Sequence, residues 1–472
     1  MNRIKPVDSS LKSDPNLENV YNENINLYKL YPSHVQTLRS TIQKQLKDKL
    51  GIRTDKQNDS PIVLCGHQIE FFHPGILSKE VLGSTAALKL NGSCISVILD
   101  HDPHDLIFNC PQIYSDQNTD RIRKLSFMLN TKSQSRNSLV HKKNWIDFLS
   151  QIPGNLEKHY EKTTLDQIRD NISILTNDLD TYPQVSDYIT NTRLSGLKKL
   201  NLNLYPLKIS EMVNLEGWRK FCDLIIDDLD TFIRAHNTSL DEYRIQHHIK
   251  NHAQPVPNLS NNEIPFWIIK NGKREKTIAE NIKETILYPR AITLSIFLRL
   301  FVSDIFIHGT GGARYDQVTN SIIRKFFNVK PSSFLVKTAS LQIPLNPQSS
   351  LAKFKNTRSI DEWLNQYRYF LFHPEKTKGV DVNLSRQRNE LIELYNKTTG
   401  SKRNIRNELE ENRIQILNQL VEYEDMLFNE RDEIKKYTLD RNVLMDRSFP
   451  YFFYDMQTLK NDQSYEIIKY PE

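Results

Sequence analysis

The sequence predicts an α/β fold: a core of βαβ units around a parallel sheet, broken by a helical insertion and followed by a C-terminal coiled-coil arm. Three observations predict it. A short apolar run, a polar loop, a helix and a second apolar run succeed one another within residues 61–99, the order of a βαβ unit. The same alternation returns between Pro289 and Phe327. From about residue 384 to 437 the chain is charged, with apolar residues three and four apart, the pattern of helices packed along a narrow seam.

Pro61-Ile-Val-Leu-Cys65 reads as a buried strand between turn signals, and the loop Gly66 to Gly75 follows it. A helix starts at Pro74, since proline suits the first helical turn, with Leu77, Val81, Ser84 and Leu88 on one face. Asn91-Gly92 stops it, and Cys94 to Leu99 is a second buried strand ending in Asp100-His-Asp-Pro-His-Asp105. Residues 130–255 read as an inserted helical segment, and Pro265 to Ile269 followed by Asn271-Gly272 reads as a hairpin. Pro289 opens an apolar helix to about Leu300, Asp304 to Ile307 is a third core strand, and His308 to Asp316 is a glycine-rich loop before another helix. The Thr398-Thr-Gly-Ser401 break makes the charged arm a helical hairpin, and the aromatic run Phe449 to Tyr454 packs back on the core. The expected division is a lead-in at 1–60, a core at 61–380, the arm at 381–440 and a tail at 441–472.

Composition narrows the function. Of 472 residues 38% are apolar and 10% aromatic, enough for a large core, which excludes global disorder. The formal charge of +6 comes from 63 basic and 57 acidic residues that are scattered, which argues against nucleic acid as the main partner and suits an anionic small molecule. Cys65, Cys94, Cys110 and Cys222 form no CxxC pair and read as buried, reduced thiols. The start MNRIKPVDSSLKSD has no apolar signal core, and no run of about 18 apolar residues exists, so a cytoplasmic protein without a membrane partner is expected.

The chemistry-bearing residues gather in three segments at expected strand ends, where α/β sheets bind ligands. In the first, His67 and His73 flank one loop with Gln68 and Gly75; imidazoles there move protons near neutral pH, or merely cap the turn. In the second, Asp100, His101, Asp102, His104 and Asp105 place five titratable groups within six residues. A carboxylate-oriented histidine base is the favoured reading over a divalent metal held by His101 and His104. In the third, His308, Gly309, Gly311, Gly312, Arg314, Tyr315 and Asp316 offer close backbone approach and an anion clamp, but no P-loop ending. Asp316 also suits an N-terminal cap for the following helix. Arg290 is a second candidate clamp.

The order of these segments resembles the bacillithiol synthase family, the cysteine-adding enzymes. The matching residues are Cys65-Gly-His-Gln68, His73-Pro-Gly75, Leu99-Asp-His-Asp102, Pro289-Arg290 and His308 to Asp316, with the helical arm in the same place. His67 departs from the family, which has glutamine there, and the third segment reads HGTGG. The resemblance implies a Rossmann-like core of the nucleotidyltransferase and class I synthetase type and a homodimer formed through the coiled coil. It also implies condensation of an amino acid, cysteine, with an amino-sugar acceptor. His67, His73, His101 and Asp102 would then carry catalysis; Gln68, Gly75, Asp100, His104, Arg290 and the His308–Asp316 residues would hold substrate. ATP or another nucleotide is open as a cofactor. Two other readings stay open: a nucleotide-binding transferase that adenylates a carboxylate, and a non-enzymatic coiled-coil interaction protein.

Overall fold

The computed structural model describes residues 17–52, 60–101, 105–116, 119–130, 142–182, 184–198, 200–270, 273–282, 285–352, 358–462 and 464–468. The chain enters through α1 (Leu17–Tyr28) and α2 (Ser33–Leu50), whose buried stripes are Leu17 and Val20, then Val35, Leu38, Ile42 and Leu46. The expected βαβ unit follows as β1 (Ile62–Gln68), α3 (Pro74–Lys89) and β2 (Ser93–Leu99). Pro74 occupies the first helical turn behind the N-cap His73. The helix closes where Asn91 turns left-handed (φ 52) and the Gly92 N–H donates to the Ala87 carbonyl at 2.8 Å. β1 runs past Cys65, so His67 and Gln68 stand on the strand end, and it pairs in parallel with β2 from Ile62↔Ser93 to Gln68↔Leu99.

β3 (Leu106–Asp116) and β4 (Thr119–Asn130) pair with each other. The expected insertion contains α4 (Lys142–Leu156), α5 (Lys162–Thr181) and α6 (Val185–Lys198). It also contains β5 (Tyr205–Lys208), a core strand parallel to β2. Pro206 hid it, because proline cannot donate a ladder hydrogen bond. The sheet tolerates that proline because β5 is an edge strand with β2 as its neighbour. Next come α7 (Ile209–Met212), α8 (Glu216–Ile226) and α9 (Leu229–Gln246). β6 (Phe266–Lys270), β7 (Lys273–Glu275) and β8 (Tyr288–Pro289) form a small antiparallel sheet containing the expected hairpin, whose Asn271-Gly272 lies outside the described residues.

α10 (Ala291–Phe297) runs on into a π-helical turn, Leu298–Val302, and the core resumes with β9 (Ile305–His308), α11 (Thr310–Phe327) and β10 (Phe334–Val336). The glycine-rich segment is therefore largely helix rather than loop: Gly309 is the N-cap and the helix begins at Thr310. Asp316 lies well inside α11 and is buried, so it is not the cap that the sequence suggested. Beyond β10 lie α12 (Ile360–Phe372), α13 (Val382–Lys397), α14 (Arg403–Gln419) and α15 (Val421–Leu444), then α16 (Met456–Asn461) and β11 (Glu466–Ile468).

The main sheet has the order β11-β10-β9-β1-β2-β5, parallel except for β11. Its order reverses between β1 and β9: the chain builds outward from β1 through β2 to β5, then returns to β1's other side. Alternate residues point to opposite faces. Ile62, Leu64, Ile95, Val97, Phe306, Phe334 and Val336 join one apolar cluster, with side chains of α2, α8, α9, α10 and α11. Val63, Cys65, Cys94, Ile305, Ile307 and Leu335 join the other, with α1 and α3. A parallel sheet covered on both faces reads as short unbroken apolar runs, as β1 and β2 do.

The chain divides into two compact units: residues 1–110, 125–344 and 447–472 form the first, and residues 111–124 and 345–446 the second. In the first, Phe449, Tyr451, Phe452, Phe453 and Tyr454 are buried, and Phe452 stacks on Phe108 at 5.7 Å. In the second, the break at 398–401 separates α13 from α14, and the apolar seam is covered from within. Phe370 of α12 clusters with Ile416, Leu420 and Leu427, and Trp363 Nε1 donates to the Leu427 carbonyl at 2.8 Å.

Candidate functional site

Parallel register brings the ends of β1, β2 and β9 to one edge of the sheet. His67 is level with Ile98, and continuing the pairing Leu64↔Phe306 sets Gly66 level with His308. The first and third predicted segments thus leave the sheet side by side where its strand order reverses, and the second leaves from β2, on the other side of β1.

The third segment carries the most developed geometry. His308 Nε2 donates to Asp316 Oδ2 at 3.0 Å, across two turns of α11. That carboxylate also receives Arg299 Nη1 at 2.5 Å, while the same guanidinium donates to Asn320 Oδ1 at 2.6 Å and to the Ser332 carbonyl at 2.7 Å. Arg299 and Asp316 are both buried. Burial alone would raise the Asp316 carboxyl, but Arg299 and His308 hold it down at about 2. Asp316 therefore stays ionised and accepts from His308 Nε2–H, which fixes the ring and turns Nδ1 away from the carboxylate. Phe306 and Phe334 meet the ring edge-on at 4.4 and 4.9 Å. Gly312 is required here: a Cβ on it would stand 2.7 Å from His308 Nδ1. A cleft of about 200 Å³ opens beside this pair, lined by Val256, Ile292, Ser295, His308, Gly312 and Tyr315 among others.

The remaining candidates divide. His67 Nδ1 lies 3.1 Å from Glu70 Oε1, with Phe72 edge-on at 5.0 Å, a second imidazole–carboxylate pair at the neighbouring strand end. Gln68 is the last residue of β1. His73 is a buried cap: its Nδ1 accepts from the Gly75 N–H at 2.9 Å and its ring meets Tyr454 at 5.2 Å. Asp100 receives the Ser210 N–H at 2.9 Å and the Ser210 hydroxyl, tying β2 to α7. His101 is buried, with Nε2 donating to the Pro289 carbonyl at 3.1 Å and Tyr288 stacked at 6.0 Å. Asp102 and His104 lie outside the described residues. Arg290 pairs with Glu263 at 2.6 Å over the Trp267 ring, leaving Nη2 without a partner among the described residues. Arg314 and Tyr315 are exposed on α11, and Gly311 and Gly312 form its first turn.

The sequence reading missed Glu70, Lys79 and Arg299. The signal for Arg299 was present: it is a lone cation inside the apolar helical run FLRLFV. A helix covered all round carries a charge only where that charge has work. Among the described residues no three metal-ligating side chains group together, and no helix is long and apolar enough to cross a membrane. No family model matches the chain, and a search of curated proteins found no significant match.

Proposed function

We propose that the protein is an enzyme that condenses an amino acid with an amine acceptor at the strand ends around His308, in a Rossmann-like core. Cysteine and an amino-sugar acceptor are the substrate pair that the resemblance to the cysteine-adding enzymes implies. The observation that carries the reading is the buried Asp316 holding His308 beside a small cleft. A carboxylate that fixes the imidazole tautomer and steadies the imidazolium is the arrangement of a general base. In this reading His308 Nδ1 takes the proton released as the acceptor's amine nitrogen bonds to the amino-acid carboxyl carbon. The displaced oxygen leaves as water, or with a nucleotide if the carboxyl is first activated. His67, paired with Glu70, stands one strand away to protonate that oxygen.

The strand order supports the Rossmann-like assignment, since β5-β2-β1-β9-β10 corresponds to the order 3-2-1-4-5 counted along the chain. The same resemblance carries a homodimer through the helical arm. Exposed Val382, Leu394, Ile414, Val421, Met426 and Leu439 give that arm apolar surface to bury, and sedimentation of the full chain tests it.

The test is a thermal-shift screen with cysteine, glucosaminyl malate and ATP, singly and in pairs, because a ligand of the native state raises Tm by mass action. A rise with cysteine or glucosaminyl malate that His308→Gln removes supports the reading. A rise with ATP alone moves it to carboxylate adenylation, and no rise with any of them rejects it.

A further inference from the structure

We propose that the sheet edge where β1 and β9 end binds an anionic oxygen group of the substrate, a carboxylate or a phosphate, with Lys79 as its buried anchor and the first turn of α11 beside it. This rests on the reading of that edge as a substrate site.

Lys79 lies on α3 and is 7% exposed. Its Nζ donates to the Gly66 carbonyl at 2.9 Å, and among the described residues no carboxylate lies within ion-pair distance of it. An ammonium has three N–H groups, and among the described residues one acceptor serves them. Other buried cations of this unit are neutralised: Arg299 has Asp316, Arg39 has Asp304, Arg193 has Glu80 and Lys337 has Asp462. A buried charge without a counter-ion is expensive. Burial pushes the Lys79 ammonium below its ordinary value, against the pull of Cys65, Glu80 and Glu70. A bound anion would remove that cost.

The place fits such a ligand. Gly66 is level with His308, the last residue of β9 before the chain turns into α11. The Lys79 stem passes beneath that turn: its Cδ is 4.0 Å from where a Cβ on Gly309 would stand. α11 is 18 residues long, its N-cap makes no side-chain hydrogen bond, and its first turn has no acidic residue. Helix N-termini ordinarily carry a capping oxygen or a carboxylate on their free N–H groups. Gly311 has nothing within 4 Å of a would-be Cβ, so the turn stands open. In doubly wound sheets the ligand crevice lies at the reversal of strand order.

The test measures Tm of the full chain in inorganic phosphate and in L-malate at constant ionic strength, with sodium chloride as the reference. It compares wild type, Lys79→Met and Gly311→Asp. Aspartate suits a helix start and its Cβ has open space at Gly311, so this variant folds even if the methionine variant does not. The account expects a rise of about 2 °C at an anion concentration tenfold above its Kd, lost in both variants. Phosphate acting alone identifies a phosphate-bearing substrate, and malate alone a carboxylate. No rise with either anion, or a rise that Gly311→Asp leaves intact, overturns the proposal. An anion effect without any cysteine-adding activity leaves this site standing and rejects the substrate pair proposed above.

Discussion

His308 Nε2 lies 3.0 Å from Asp316 Oδ2, and the two residues are joined by the opening turns of one helix. The helix start that displays the histidine also supplies the carboxylate that orients it. Arg299 then fixes the carboxylate from the preceding helical turn. A change at any of the three is felt by the others.

Asp316→Asn leaves the Arg299 guanidinium buried without a counter-charge. Breaking a buried pair from one side costs about 3–5 kcal/mol. Urea unfolding followed by far-UV circular dichroism will show a midpoint lowered accordingly, and Arg299→Met in the same background will recover part of the loss.

Gly312→Ala separates the site from the fold. Its Cβ would stand 2.7 Å from His308 Nδ1, so the imidazole must leave the position that Asp316 gives it. Alanine also favours the helix by about 1 kcal/mol over glycine. The variant should keep its unfolding midpoint and lose about tenfold or more in turnover, measured as kcat against KM.

Acid will destabilise the protein through His236. Burial lowers its folded value to about 4 from an ordinary 6.5, and Arg290 and Arg244 add to the effect. Between those values the unfolded chain holds the extra proton, so stability falls as pH drops from about 6.5 to about 4 and levels below. The full effect is about 3 kcal/mol. His236→Asn keeps a donor for the Asn237 side-chain oxygen, 3.0 Å from His236 Nδ1, and should flatten that part of the stability–pH curve.

Leu427→Ala addresses the second unit. Leu427 is fully buried among Phe370, Ile416 and Leu420, and truncating such a leucine costs about 2–5 kcal/mol. Proteolysis should then cut preferentially within residues 345–446, with the first unit's fragments persisting.

Legibility followed physical signal. β1, α3 and β2 were readable because a twice-covered parallel strand is an unbroken apolar run, and Pro74 and Asn91-Gly92 mark the helix ends. β5 was not, because Pro206 is a strand breaker except at an edge, and edge position is a tertiary fact. The glycine-rich segment looked like a loop because three glycines weaken a helix; Arg299 drawing Asp316 inward is invisible in a linear pattern. The candidate histidines could be singled out in the sequence, but what each one touches is a matter of the folded chain. His73 and His101 are occupied by Gly75 and Pro289, whereas His308 faces a cleft.

Product formation shows whether His308 acts as the base. Wild type and His308→Gln are incubated with cysteine and glucosaminyl malate, with and without ATP, and the mixtures analysed by mass spectrometry. The account predicts a condensed product, one water lighter than the sum of the two substrates, from wild type and at least a hundredfold less from His308→Gln. No product from wild type under either condition, or equal product from both proteins, would contradict it.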